Sequence, residues 1–218
     1  MTIQEMHRNL EIRLRTLNNE KLFTSSELDY YLNLAERAVF EEALTAYDDT
    51  DLVKTALFQL LKSVVYTTFT EAGADESQKK QSTSLIVTLP TDFKVAKGER
   101  ATLSSSAGST EARVKSVSQD YYNMNIENPF KKPSIDLVWR LDFPNTSDST
   151  KKHELITSSD ATLTKYSLRY ISELPGMSIF SGVDSALHSM THDEIVNKAE
   201  QFALQDLGIF QQKENNKQ

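Results

Sequence analysis

The chain has 218 residues, of which 39% are hydrophobic and 25% charged, with a formal net charge of −7 and no cysteine. This length and composition supply enough apolar surface for one or two packed domains and exclude wholesale disorder. The missing cysteines exclude disulfides and thiolate metal sites, and the acidic balance argues against a dedicated nucleic-acid binder, which neutralises phosphates with surplus Lys and Arg.

From the start of the chain, Ile3, Met6, Leu10, Leu14 and Leu17 recur at helical spacing, and Asn18-Asn19 ends the run. These first residues alternate polar and apolar, unlike the continuous apolar core of a secretory signal. No apolar run nears the roughly 20 residues that span a bilayer, so neither signal peptide nor membrane contact is expected. Thr24-Ser25-Ser26 offers N-cap chemistry for a second helix with Leu28, Leu32, Ala35, Val39, Ala43 and Ala46 along one stripe. Asp48-Asp49-Thr50-Asp51 breaks that helix and caps a third, carried by Val53, Ala56, Leu57, Leu60, Leu61 and Val64.

Beyond Val64 the period becomes two. Ile135, Leu137, Trp139, Leu141 and Phe143 alternate with Asp136, Val138, Arg140 and Asp142. Thr164, Tyr166, Leu168 and Tyr170 do the same, and Leu85, Val87 and Leu89 form a shorter strand stopped by Pro90. Polar or Pro-rich stretches at 104–110, 128–133 and 145–150 read as loops. After Pro175-Gly176 the helical period returns: Thr191 is expected to cap, Glu194 to close a capping box, and Val196, Ala199, Ala203, Leu207 and Phe210 to form the apolar stripe. A helix this short needs a partner, so it is expected to pack on the N-terminal helices. The fold expectation is α+β: a helical bundle made from both chain ends (1–63 plus 184–212), an inserted antiparallel β-sheet or sandwich domain (64–183), and a flexible tail (213–218).

The search for chemistry finds no nucleophile elbow, and none of the familiar phosphate loops can be built from the six glycines present. His188-Ser-Met-Thr-His192, followed by Asp193-Glu194, has a metal-ligand spacing, but only if both histidines share a helix. A helix starting at Thr191 leaves His188 in the preceding loop and makes Asp193 and Glu194 first-turn acids. Asp48, Asp49 and Asp51 lack the glycine and distal glutamate of a calcium loop and suit helix capping. Asp136, Asp142, Glu154 and Asp160 could supply a glycosidase pair, and Trp139 with Tyr121-Tyr122 a sugar platform; exposed strand acids and core aromatics explain the same residues. Lys79-Lys80, Lys131-Lys132 and Lys151-Lys152 fall in expected loops and form no continuous basic stripe. On these residues no catalytic, cofactor-binding or metal-binding assignment is made, and the chain is read as non-enzymatic.

Several segments resemble the head-to-tail connector (ring) proteins of tailed bacteriophages, most closely those of crAss-like podoviruses. They are Leu32-Asn33-Leu34-Ala35-Glu36-Arg37 with Asp51-Leu-Val-Lys-Thr-Ala-Leu57; Leu89-Pro90-Thr91-Asp92-Phe93; Asn128-Pro129-Phe130-Lys131-Lys132-Pro133 followed by Trp139-Arg140; Leu168-Arg169-Tyr170-Ile171 running to Leu174-Pro175; and Thr191-His192-Asp193-Glu194-Ile195-Val196 through Ala203-Leu204. Ser172-Glu173 stands where many such proteins carry Lys or Arg before Pro. The resemblance implies a structural virion protein that assembles into a dodecameric ring in the host cytoplasm. Such a ring stacks under the portal or on other ring and tail proteins and leaves a channel in which DNA passes without specific binding. The competing reading from the residues is a β-sandwich carbohydrate-binding, adhesin-like module.

Overall fold

The computed structural model describes residues 1–17, 23–48, 50–71, 84–106, 108–144 and 150–207. Those residues divide between two compact units, one made of Met1–Leu61 with Leu174–Gln218 and the other of Lys62–Glu173. The segment 174–183, expected with the strands, falls with the helices.

In the helical unit, α1 (Ile3–Leu17) buries Ile3, Met6, Leu10 and Leu14, the stripe its spacing dictates. Helix α2 (Ser25–Thr45) starts at Thr24 through a full capping box. Thr24 Oγ1 accepts from the Glu27 amide at 3.3 Å, while Glu27 accepts from the Thr24 amide at 2.8 Å. Helix α3 is only Asp51–Ala56, capped by Thr50, and a 3₁₀ turn follows at Phe58–Leu60. The third helix expected to run to Val64 therefore ends early. Strand β1 (Leu61–Tyr66) takes over where Val64-Val65-Tyr66 favours extended backbone, although Ala56, Leu57 and Leu60 are buried as their spacing suggested.

Helix α5 (His192–Asp206) buries Ile195, Val196, Ala199, Ala203 and Leu204. It touches both N-terminal helices: Arg13 on α1 donates to Asn197 and, at 3.3 Å, to Glu200, and on α2 Tyr31 donates to Asp206 at 3.2 Å while Glu42 pairs with Lys198. The capping box expected at its start is absent. Thr191 has helical backbone angles and no side-chain cap bond; its hydroxyl donates instead to the His188 carbonyl at 2.9 Å, closing a 3₁₀ turn at Ser189–Thr191. Phe210 and the 213–218 tail lie outside the described residues, as do the side chains of Leu17 and Phe143.

The second unit is one eight-stranded sheet in the order β1-β8-β4-β5-β6-β7-β3-β2. Its other strands are β2 (Thr70–Glu71), β3 (Ser84–Thr88), β4 (Phe93–Ser105), β5 (Gly108–Ser116), β6 (Leu137–Pro144), β7 (Lys151–Ile156) and β8 (Thr162–Ser172). Neither half of the expected antiparallel sheet or sandwich holds fully: there is a single sheet, and β5 pairs with β6 in parallel. Parallel neighbours need a crossover, and here it carries the helix α4 (Gln119–Asn125), capped by Ser118. The expected loop at 104–110 is a hairpin instead, with β4 running to Ser105 and β5 resuming at Gly108, whose φ of 118° suits glycine.

The sheet curls on itself. β7 and β8 are separated by three strands in the sheet order, yet His153 on β7 lies 2.9 Å from the Tyr166 hydroxyl on β8, and its ring meets Phe93 of β4 edge-on at 5.5 Å. The concave face holds Val87, Leu103, Val138, Leu155, Leu163, Tyr166 and Leu168. The opposite face of β6 and β7 is covered by α4 and the residue that follows it, which pack Tyr122 and Ile126 on Trp139, Leu141 and Ile156. Alternation along β6 thus separates two buried faces, not a buried face from a wet one.

Candidate functional site

Two polar constellations organise the chain, one in each unit. In the curled sheet, Arg140 leaves the concave face of β6 and donates to Glu99 on β4 at 2.9 Å and to Ser116 on β5 at 2.6 Å. Glu99 also accepts from the Tyr166 hydroxyl, so the His153 Nδ1–H donates to the Tyr166 oxygen. The far side of the imidazole, Nε2, lies 3.3 Å from Asp142. Burial, and after it the Glu99 charge, raises the Tyr166 hydroxyl far above the ordinary phenol range. Asp142 is held below the usual carboxylate range, by His153 first and then Arg140.

Glutamate, histidine, tyrosine and arginine in contact would be suitable for acid–base chemistry, so access decides what they can do. The Arg140 and Glu99 side chains are 9% and 13% exposed, and Tyr166 and His153 are fully buried. A cleft of about 360 Å³ opens beside them, lined by Phe93, Lys94, Arg140, Asp142, Lys151 and Lys152 among others. It reaches none of Glu99, His153 or Tyr166. In this arrangement the network ties together strands β4 to β8 where the sheet curls.

The Leu89-Pro90-Thr91-Asp92-Phe93 segment serves the same unit. The Phe93 amide donates to the Pro90 carbonyl at 3.0 Å, closing a turn, and the Asp92 carbonyl accepts from the Glu173 amide at 2.7 Å. The Asp92 carboxylate takes Lys62 at 2.5 Å and the Tyr170 hydroxyl at 3.1 Å. The Lys62 ammonium, with help from Tyr170, holds Asp92 below its usual range. Burial and Asp92 together push the Tyr170 hydroxyl up to about 12.

In the helical unit one stripe of α2, Asp29-x-x-x-Asn33-x-x-Glu36, holds down the extended segment that leads to α5. Asn33 brackets residue 177, accepting from the Met177 amide at 2.7 Å and donating to its carbonyl at 2.8 Å. Asp29 accepts from the Ile179 amide at 3.2 Å and from His7 at 2.6 Å. Glu36 is buried and accepts from the Ser185 hydroxyl at 2.6 Å and the Ala186 amide at 3.2 Å. Burial raises its carboxyl above the ordinary value, and these two hydrogen bonds offset part of that. Sequence reasoning missed these anchors. The available signal was the i, i+4, i+7 spacing of short polar side chains beside an apolar stripe.

The sequence candidates end up dispersed. His188 accepts from the Met190 amide at the start of the 3₁₀ turn, whereas His192 lies on α5 with its ring between the Leu187 carbonyl at 3.1 Å and the N-terminal amine at 2.9 Å. Among the described residues no group of three or more His, Asp or Glu side chains could hold a metal. Asp51 pairs with Lys54 in the first turn of α3, Asp48 lies in the preceding turn, and Asp49 is outside the described residues.

Asp136 and Asp160 lie in exposed turns, and Glu154 projects from β7 on the face opposite His153, so the four acids considered as a glycosidase pair do not converge. Trp139 is 0% exposed and packed edge-on by Tyr121 and Tyr122, so it has no free ring face for a sugar. Lys131-Lys132 lies in an exposed turn. Lys151-Lys152, expected in a loop, begins β7, where Lys151 donates to the Phe93 carbonyl at 2.6 Å and to Glu173 at 2.9 Å. Lys79-Lys80 lies outside the described residues. No helix among them is long and apolar enough to cross a membrane.

Comparison with known families gives a match to the model described as phage tail ring protein 3/4, over residues 36–217. A search of curated proteins finds none that matches the chain. The matched span takes in the second half of α2, α3, β1 to β8, α4 and α5, with the anchors Glu36, Asp92, Arg140 and Tyr170 inside it. The chain belongs to the phage tail ring protein 3/4 family of crAss-like phages.

Proposed function

We propose that the protein is a non-enzymatic virion component whose copies close into a dodecameric ring at the head-to-tail junction. In this reading a bundle formed by the helices of both chain ends carries the inserted sheet, and the ring stacks under the portal or on a neighbouring ring. The observation that carries the reading is the family match across both units. A closed ring requires each copy to mate two different surfaces with its neighbours, and several large apolar side chains, Leu52, Phe58, Met124, Phe130 and Phe180 among them, stand exposed on the isolated chain.

The net charge of −7, multiplied by the copies in a ring, produces a field that discourages DNA from adhering to a channel wall. Of the catalysis-like residues, Glu99, His153 and Tyr166 do not line the nearby cleft, which supports a structural role for them. A reconstruction of the virus particle is the test. It is expected to place twelvefold-repeated copies of this chain, about a DNA-sized channel, between portal and tail. Copies found on the capsid surface, or in no closed ring, would refute the reading.

A further inference from the structure

We propose that neighbouring copies are joined by insertion of the Phe180 loop of one helical unit into an apolar groove on the helical unit of the next; this rests on the ring reading. The groove, about 300 Å³, runs between the second half of α2, α3 and the 3₁₀ turn before α5, with Val39, Ala43, Leu52, Val53 and Met190 among its walls. Leu52 on its rim is 65% exposed. Glu42 and Glu194 also border it, and both are paired with Lys198, so covering the groove strands no lone charge.

The loop has the opposite shape. Residues 178 and 183 form a bridge with two backbone hydrogen bonds of 3.0 and 2.9 Å, and Gly182 takes the left-handed φ of 65° that the reversal needs. Its base is fixed by Asn33 on Met177, Asp29 on Ile179, and Asp184 accepting from the Ile3 amide at 2.6 Å. At the tip Phe180 is 75% exposed, and 178–183 carries no charged residue. An aromatic ring held out by a braced loop loses little freedom on docking, which is how single side chains come to dominate interfaces. Knob and groove are both apolar, and they leave α2 at different positions along its length, the knob anchored at residues 29 and 33 and the groove at residues 39 to 46. Each copy therefore offers one donor and one acceptor surface, as a head-to-tail ring demands.

The chain contains no cysteine, so introduced thiols report cleanly. Phe180→Cys and Leu52→Cys single variants are mixed at high concentration, oxidised, and resolved under denaturing conditions. The mixture is expected to yield several-fold more disulfide-linked pairs than either variant alone. Phe180→Asp is expected to weaken self-assembly on the order of tenfold or more, read by native mass measurement, with far-UV circular dichroism unchanged. Rings that persist in Phe180→Asp, or a mixed cross-link yield no higher than that of the single variants, overturn the contact while leaving the ring reading intact. Failure of the unmodified chain to form rings, alone or in virus particles, overturns the ring reading and the contact with it.

Discussion

Replacing Arg140 by Met tests whether the buried network holds the curled sheet. Arg140 makes two hydrogen bonds, one of them a 2.9 Å charge-assisted bond to Glu99, and both side chains are nearly enclosed. Removing the guanidinium leaves a buried carboxylate with only the Tyr166 hydroxyl and the His153 ring nearby, while the shorter, uncharged Met fills part of the space. Breaking such a pair costs about 3–5 kcal/mol, because the stranded charge keeps its desolvation penalty. The sole tryptophan, Trp139, is the residue next to Arg140 and is fully buried, so its fluorescence reports unfolding of this unit in particular. With a urea slope of about 1–3 kcal/mol per molar, the midpoint of the Trp139 transition should fall by about 1 M or more. A second change separates charge from packing: Glu99→Gln in the Arg140→Met background keeps an acceptor for Tyr166 but removes the stranded charge, and should recover roughly half of the loss. A single-variant midpoint within about 0.3 M of the parent, on that same slope, or a double variant weaker than the single, refutes the reasoning.

Two further variants probe the other anchors. Glu36 has its carboxyl raised by burial, so the folded state holds a proton that the unfolded state has lost as pH rises from the ordinary glutamate value of 4.5 through the raised value. Its contribution is therefore complete below 4.5 and declines through that window; Glu36→Gln should flatten the decline, as measured by thermal melts from pH 4 to 8, while keeping an acceptor for Ser185 and Ala186. Asp92 behaves oppositely, because Lys62 and Tyr170 lower its carboxyl: its contribution is complete above the ordinary 3.8 and is lost as pH falls through the lowered value. Asp92→Asn should cost about 1 kcal/mol at neutral pH, the size of a half-exposed ion pair whose carboxylate also accepts one hydroxyl, and nothing in strong acid, by urea titration at the two pH values.

The parts of the fold that were legible in the sequence are those with one buried face. Ile3, Met6, Leu10 and Leu14 mark α1, and Val196, Ala199 and Ala203 mark α5, because one face of each helix is covered and periodicity records that directly. Around β6 the alternation was real, but its meaning was not legible. Trp139 and Leu141 lie under α4, and on the opposite face Asp142 is exposed as an acid on a strand should be, but Val138 and Arg140 beside it are buried on the concave side, which polarity does not reveal. The crossover that makes β5 and β6 parallel depends on α4, a helix too short for its apolar residues to show a period. The capping box foreseen at Thr191 failed because that hydroxyl closes the 3₁₀ turn, while Thr24, read only as an N-cap, forms a full box; the local letters are alike, but Thr24 has the extended backbone of an N-cap and Thr191 is already helical.

The family resemblance and the proposed function draw on different residues of the same molecule. Within the segments that carry the resemblance, Asn33 and Glu36 hold the 176–187 segment, Asp92 and Phe93 close a turn onto β8, Arg140 ties strands across the sheet, and His192 receives the chain's first residue. Each needs a particular donor or acceptor at a fixed place, so each leaves a chemically distinctive residue in the sequence. A surface that mates with a copy of itself needs only shape and low polarity. Leu52, Met190 and Phe180 meet that requirement with side chains that look like any stray surface apolar residue when read in isolation. Such a contact becomes visible only when the fold shows Phe180 braced from below by Asp29 and Asn33, because that bracing distinguishes a docking knob from an incidental exposed ring.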